Sequence, residues 1–188
     1  MNATIDSQLW TEMYSKARSL AENLLNNVYK ELYQSHTSEE HHKFILLKVQ
    51  AAIIQLELCS GFLNLVMTPE NCFARKVILK SLIHIVFEYS STLRNNHIKT
   101  LMDLCDHKGF TSEKENLSRI VKASKKALKQ IDKYRELRRK TTGHYDPDIA
   151  KQVLLIESIN EDESIEAIKQ FIYFNNVVLE SLSKIGRK

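Results

Sequence analysis

Residues that break regular structure are almost missing from this chain: four glycines and two prolines stand among 188 residues. That is about 3%, against roughly 12% in an average globular protein. Every hairpin of a sheet protein needs such residues at its turn, so an all-β fold is excluded. Doubly wound α/β folds place glycines at their phosphate loops, and they fall with it. What remains is an all-α protein of few, long helices. Apolar residues make up 43% of the chain and charged residues 27%, so it has enough apolar material to build a core.

Start and stop signals predict a single helical domain over residues 1–188, an antiparallel bundle of four to five long helices. The first runs from about Ser7 to Tyr33, with Trp10, Tyr14, Ala17, Leu24 and Val28 on its apolar stripe. The second follows Thr37-Ser38-Glu39-Glu40, a capping box, and runs to about Met67. The third starts at Thr68-Pro69-Glu70, with Pro69 at the first helical position, and extends to Cys105. Its wide apolar surface, Val77 to Phe87, is that of a central helix. The fourth opens at the capping box Ser112-Glu113-Lys114-Glu115 and runs to about Lys140. A short segment follows Asp146-Pro147-Asp148, and the last helix spans Asn160 or Glu161 to Ile185, with Ile165, Ile168, Phe171, Ile172, Val178 and Leu182 as its stripe.

Cys59, Cys72 and Cys105 fit neither a disulfide framework nor a zinc spacing, and read as reduced, buried thiols of a cytoplasmic protein. The first residues, Met1 to Asp6, carry no signal-peptide pattern. The most apolar run is taken as Val77 to Tyr89, interrupted by Lys80 and too short to cross a bilayer, so no membrane partner is expected.

A net charge of +4 conceals a strong asymmetry. Between Lys108 and Lys140 stand twelve Lys or Arg against four acids, a net of +8. Asp146 to Glu166 holds seven acids and one base, Lys151, a net of −6. The basic helix suits phosphates; equally, it suits a solvated face partly neutralised by the acidic stretch. At 3.6 residues per turn, Leu117, Val121, Ser124, Leu128 and Ile131 share one stripe. Continued, the stripe meets Tyr134 at its edge, then Arg135 and Arg138, with Arg139 on the other flank. An inward arginine needs a partner: an internal carboxylate, a second subunit or a bound phosphate.

The segment 134–148 then reads Tyr134-Arg135-Glu136-Leu137-Arg138-Arg139-Lys140-Thr141-Thr142-Gly143-His144-Tyr145-Asp146-Pro147-Asp148. A histidine exchanges protons near neutral pH, and an arginine grips a phosphate through two donors. Five residues separate Arg138 from His144, and the two converge only if the helix ends between them, where Gly143 stands. In these residues the chain resembles the HEPN superfamily, all-α proteins of toxin–antitoxin, abortive-infection and RNA-processing systems. Their signature is an Arg at a helix end, four to six residues, then His. The resemblance implies a metal-independent, cofactor-free endoribonuclease that acts as a homodimer on RNA, with an antitoxin or inhibitor protein as a further partner. Arg138, His144 and Arg139 would be catalytic. Lys122, Lys126, Lys129, Lys133, Arg135, Lys140 and Tyr145 would contact RNA.

Many members place Asn, Asp or His after the motif arginine; here Arg139 or Lys140 stands there. That favours an alternative, a non-catalytic helical dimerisation or adaptor module of the same fold; a further alternative is an RNA-binding protein without cleavage. Other signals are bland. Arg94 and His97 are too close for the motif, His36, His41 and His42 lack a metal-ligand spacing, and His84 reads as a satisfied core histidine.

Overall fold

A computed structural model describes residues 3–33, 38–93, 97–141 and 148–185, leaving out the side chains of 3–7, 40, 126–128 and 141. Among these residues every regular element is helical, with no strand. The elements are α1 (Ala3–Val28), a 3-10 turn (Tyr29–Tyr33), α2 (Glu39–Met67), α3 (Phe73–Thr92), α4 (Ile98–His107), α5 (Thr111–Asp132), α6 (Arg135–Thr141), α7 (Ile149–Glu157) and α8 (Glu161–Ile185).

The sequence signals place most helices correctly and miss several ends. Ser38, not Thr37, caps α2: its hydroxyl accepts from the His41 N–H at 3.2 Å. Thr37 itself lies outside the described residues. Thr68-Pro69 does not open α3 but ends α2, with Thr68 as its C-cap. The reason is Arg75, whose Nη1 donates to the carbonyls of Leu65 at 2.8 Å and Thr68 at 3.0 Å. Holding those carbonyls at the end of α2 delays α3 to Phe73, after a turn in which Asn71 takes a left-handed φ of 59°. Ser112 lies inside the first turn of α5, where it donates to Glu113 at 2.6 Å, so the second capping box does not form. Over the described residues the expected third helix is seen as α3 and α4, with Leu93 and His97 both in helical conformation and residues 94–96 between them outside the described set, whereas the fourth is two, α5 and α6, parted by a turn at Lys133-Tyr134.

α8 lies at the centre, packed by α2, α3 and α5. Phe171, Ile168 and Leu182 are fully buried there, each contributing about 1.5–3 kcal/mol by leaving water. Asn160 caps this helix by accepting from the Glu163 N–H at 3.1 Å, and Glu161, Asp162 and Glu163 complement its positive end. Arg75 reaches Glu161 at 3.0 Å and so ties the α2–α3 turn to the start of α8. α3 is enclosed by α2, α5, α6, α7 and α8, as its wide apolar surface predicts. Gly61 admits this packing, because a Cβ there would stand 2.7 Å from the buried Leu82.

α1 packs on α2 through an aromatic cluster in which Trp10 stacks on Tyr14 at 5.8 Å and Tyr14 meets Phe62 at 4.3 Å. A buried amide pair joins α2 to α8: Asn175 Nδ2 donates to the Ala51 carbonyl at 2.9 Å and to Gln55 Oε1 at 2.8 Å. Among the described residues α2, not the Val77–Tyr89 run, carries a stretch long and apolar enough to cross a bilayer, His41–Met67, and half of its apolar 18-residue window is buried in the protein as in a core helix. Cys59 and Cys105 are buried as expected, whereas Cys72 is only half-buried. His84 is not a satisfied core histidine: it is half-buried, and its Nδ1 has no hydrogen-bond partner among the described residues.

Candidate functional site

The basic helix does not run unbroken to Lys140. It turns at Lys133-Tyr134 and resumes as α6, seven residues long. Tyr134 drives the turn. Its ring is buried, and its hydroxyl accepts from the Asn160 N–H at 3.1 Å and from the Ser164 hydroxyl at 3.0 Å. The phase therefore shifts, and the inward stripe continues through Tyr134 and Leu137, both buried. The core-facing surface stays apolar instead of turning cationic. Arg135 is exposed, and Arg138 sits half-buried on the flank.

Arg138 has found its carboxylate. It forms an ion pair with Glu88 of α3, and its guanidinium lies 5.6 Å from the centre of the Phe87 ring. This contact fixes the end of α6 against α3. Sequence reasoning missed Glu88, although a lone acid inside the apolar run Val77–Tyr89 is a signal for a cationic partner.

The other cations divide into two groups. Lys133 pairs with Glu163, which raises its pKa, and its ammonium lies 5.2 Å from the Tyr134 ring centre. Lys140 pairs with Glu136 at 3.3 Å. The acidic stretch therefore does fold beside the basic one, but it neutralises only part of it. Lys122, Lys129, Arg135 and Arg139 are exposed, with no carboxylate partner among the described residues. Lys122 lies on one open face of α5 with Lys114 and Arg119. Lys126 lies on the same helix, its side chain outside the described set, and His144 and Tyr145 lie outside the described residues. Among the described residues no cluster of metal-ligating side chains occurs.

The arrangement therefore presents Arg138, Arg139 and Lys140 in the last turn of a short helix, directly before the segment that contains His144. Arg138 is held, Arg139 faces solvent, and Lys122, Lys125 and Lys129 of α5 are exposed. Such a surface can attract and orient a phosphodiester backbone. Comparison of the chain with family models, with curated proteins and with solved structures finds no match.

Proposed function

We propose that the chain is a HEPN-like, metal-independent endoribonuclease of a defence or toxin–antitoxin setting. The observation that carries this reading is the position of Arg138-Arg139-Lys140 at the end of α6, just before His144, with Arg138 anchored by Glu88. In this reading Arg138 and Arg139 bind the scissile phosphate and stabilise the charge of the phosphorane. His144 takes the proton from the 2′-hydroxyl, whose oxygen attacks phosphorus. The bond from phosphorus to the 5′-oxygen breaks, and that oxygen gains a proton. The products are a 2′,3′-cyclic phosphate and a 5′-hydroxyl. Lys122, Lys126, Lys129, Lys133, Arg135, Lys140 and Tyr145 guide the RNA. The active form is a homodimer in the cytoplasm, restrained by an inhibitor protein.

A second reading has one observation in its favour. The ion pair with Glu88 gives Arg138 a structural use, as a non-catalytic helical module requires.

RNA cleavage in EDTA separates the two. Wild type is expected to release cyclic-phosphate ends, and His144→Ala and Arg139→Ala to lose about 100-fold or more in rate. No cleavage of structured or unstructured RNA by the folded wild type leaves the module. RNA binding that weakens steeply with salt and survives His144→Ala, without cleavage, leaves a binding protein.

A further inference from the structure

Between Asn116 and Ile131, α5 holds five cations, Arg119, Lys122, Lys125, Lys126 and Lys129, and no acid. At 3.6 residues per turn their positions fall within an arc of about 120°, and Arg119 and Lys129 stand about 15 Å apart along the axis. The opposite side of the helix holds Leu117, Ser124 and Ile131, all buried. Arg119, Lys122, Lys125 and Lys129 are exposed, and none forms an ion pair among the described residues; the side chain of Lys126 lies outside them. Arg119 Nη2 donates to Asn116 Oδ1 at 2.8 Å, a neutral partner that orients the guanidinium and leaves its charge uncompensated. Acids stand only at the two ends of this row. Glu115 and the Lys114–Asp106 pair precede it, and Asp132 and the Lys133–Glu163 pair follow it.

The chemistry of the row selects its partner. Protein interfaces are poor in lysine, serine and alanine and rich in aromatic residues and arginine. Here four lysines stand to one arginine, with Ser118 and Ala123 beside them. A helix that lies in a membrane surface needs a free apolar side, and the apolar side of α5 is buried in a helix packed by α8, α4 and α3. Single-stranded nucleic acid is held by stacking its bases on aromatic side chains. Neither α5 nor α6 contains one, and Tyr134 between them is buried. A duplex backbone requires none of these. It requires positive charges set along a rod, and lysines supply them as point charges that read no base.

We infer that this row is a track for the backbone of double-stranded RNA. The choice of RNA rests on the ribonuclease reading; the choice of a duplex rests on α5 alone. The substrate is an RNA with a stem, gripped without regard to its sequence, and Arg119 and Lys125 join the residues that hold it.

Fluorescence anisotropy on the full chain carrying His144→Ala, which keeps the RNA uncut, tests this. The probes are two RNA hairpins of unrelated sequence, with stems of about 16 base pairs, and an oligouridine with the same number of phosphates. The two hairpins are expected to bind equally, and about tenfold more tightly than the oligouridine at about 0.15 M salt. Arg119→Gln, Lys122→Gln, Lys125→Gln and Lys129→Gln, made together, should lower the slope of log K against log salt by about 3–4. All four side chains are exposed, and circular dichroism checks that the variant folds. Equal or tighter binding of the oligouridine overturns the inference, and so does an unchanged slope in the fourfold variant. Wild type incubated with the same probes in EDTA tests the ribonuclease reading apart from it. Hairpin binding through the row with no probe cleaved sinks that reading and supports the track, whereas cleavage of the oligouridine alone sinks the track and supports that reading.

Discussion

The hydroxyl of Tyr134 accepts a hydrogen bond from the hydroxyl of Ser164 across a buried interface, at 3.0 Å. A second donor, the Asn160 N–H, reaches the same oxygen. One atom thus fixes the α5–α6 turn to the start of α8. Tyr134→Phe keeps the ring but strands both donors, so it should cost about 1–3 kcal/mol. Denaturant unfolding measures it, and a loss much below 1 kcal/mol would mean that water replaces the oxygen.

Arg138 and Glu88 make a pair whose side chains are 41% and 45% exposed. At that exposure solvent screens most of the attraction, so a double-mutant cycle should return a coupling of at most about 1 kcal/mol. Under the ribonuclease reading, Glu88→Gln should lower cleavage by misplacing Arg138 while leaving the unfolding midpoint nearly unchanged. Equal cleavage rates would show that anchoring is dispensable.

Arg75 is far less exposed and serves three acceptors at once: Leu65, Thr68 and Glu161. Arg75→Met should destabilise by about 3 kcal/mol, since it leaves carbonyls and a carboxylate unpaired. Arg75→Lys should recover little, because one ammonium cannot span the same fork. Full recovery in thermal unfolding would refute the bracing role.

The cysteines should react in a fixed order. Burial pushes the Cys59 thiol up to about 12 and raises Cys105 as well, so neither offers a thiolate. Cys72, half-buried and donating to the Pro69 carbonyl at 3.1 Å, is the accessible one. Brief treatment of the native protein with iodoacetamide should give a single adduct, mapped by mass spectrometry to Cys72.

Acid should destabilise the fold through His97. Burial lowers the pKa of its imidazole below the usual value, so the unfolded chain binds this proton more readily than the folded one. The contribution is complete above about pH 6.5 and is lost as pH falls through the folded value. His97 shares a small apolar cavity with Tyr89, Leu93 and Leu101. His97→Phe should flatten the fall in melting temperature between neutral and acid pH, and an unchanged slope would assign it to other groups.

Helix content was legible in the scarcity of Gly and Pro, and the α8 stripe from Ile168 to Leu182 was legible in its spacing. Helix ends were less so, because long-range bonds decide them. Thr68-Pro69 carries a good start signal, yet Arg75, seven residues on, holds Thr68 at the end of α2. The break at Lys133-Tyr134 has no Gly or Pro to announce it, since its cause lies at Ser164. For the same reason the phase of α6 could not be read by extending the stripe of α5. That Arg138 would need a partner was legible in its charge; that the partner is Glu88 depended on how α3 packs on α6.

The packing of α1 on α2 has a consequence for how the molecule opens. α1 is held chiefly by α2, with one cation–π contact from Lys169 of α8 to Trp10 at 3.5 Å, whereas α8 is gripped by three helices. The amides of α1 should therefore exchange with solvent deuterium through a sub-global opening, well before those of α8.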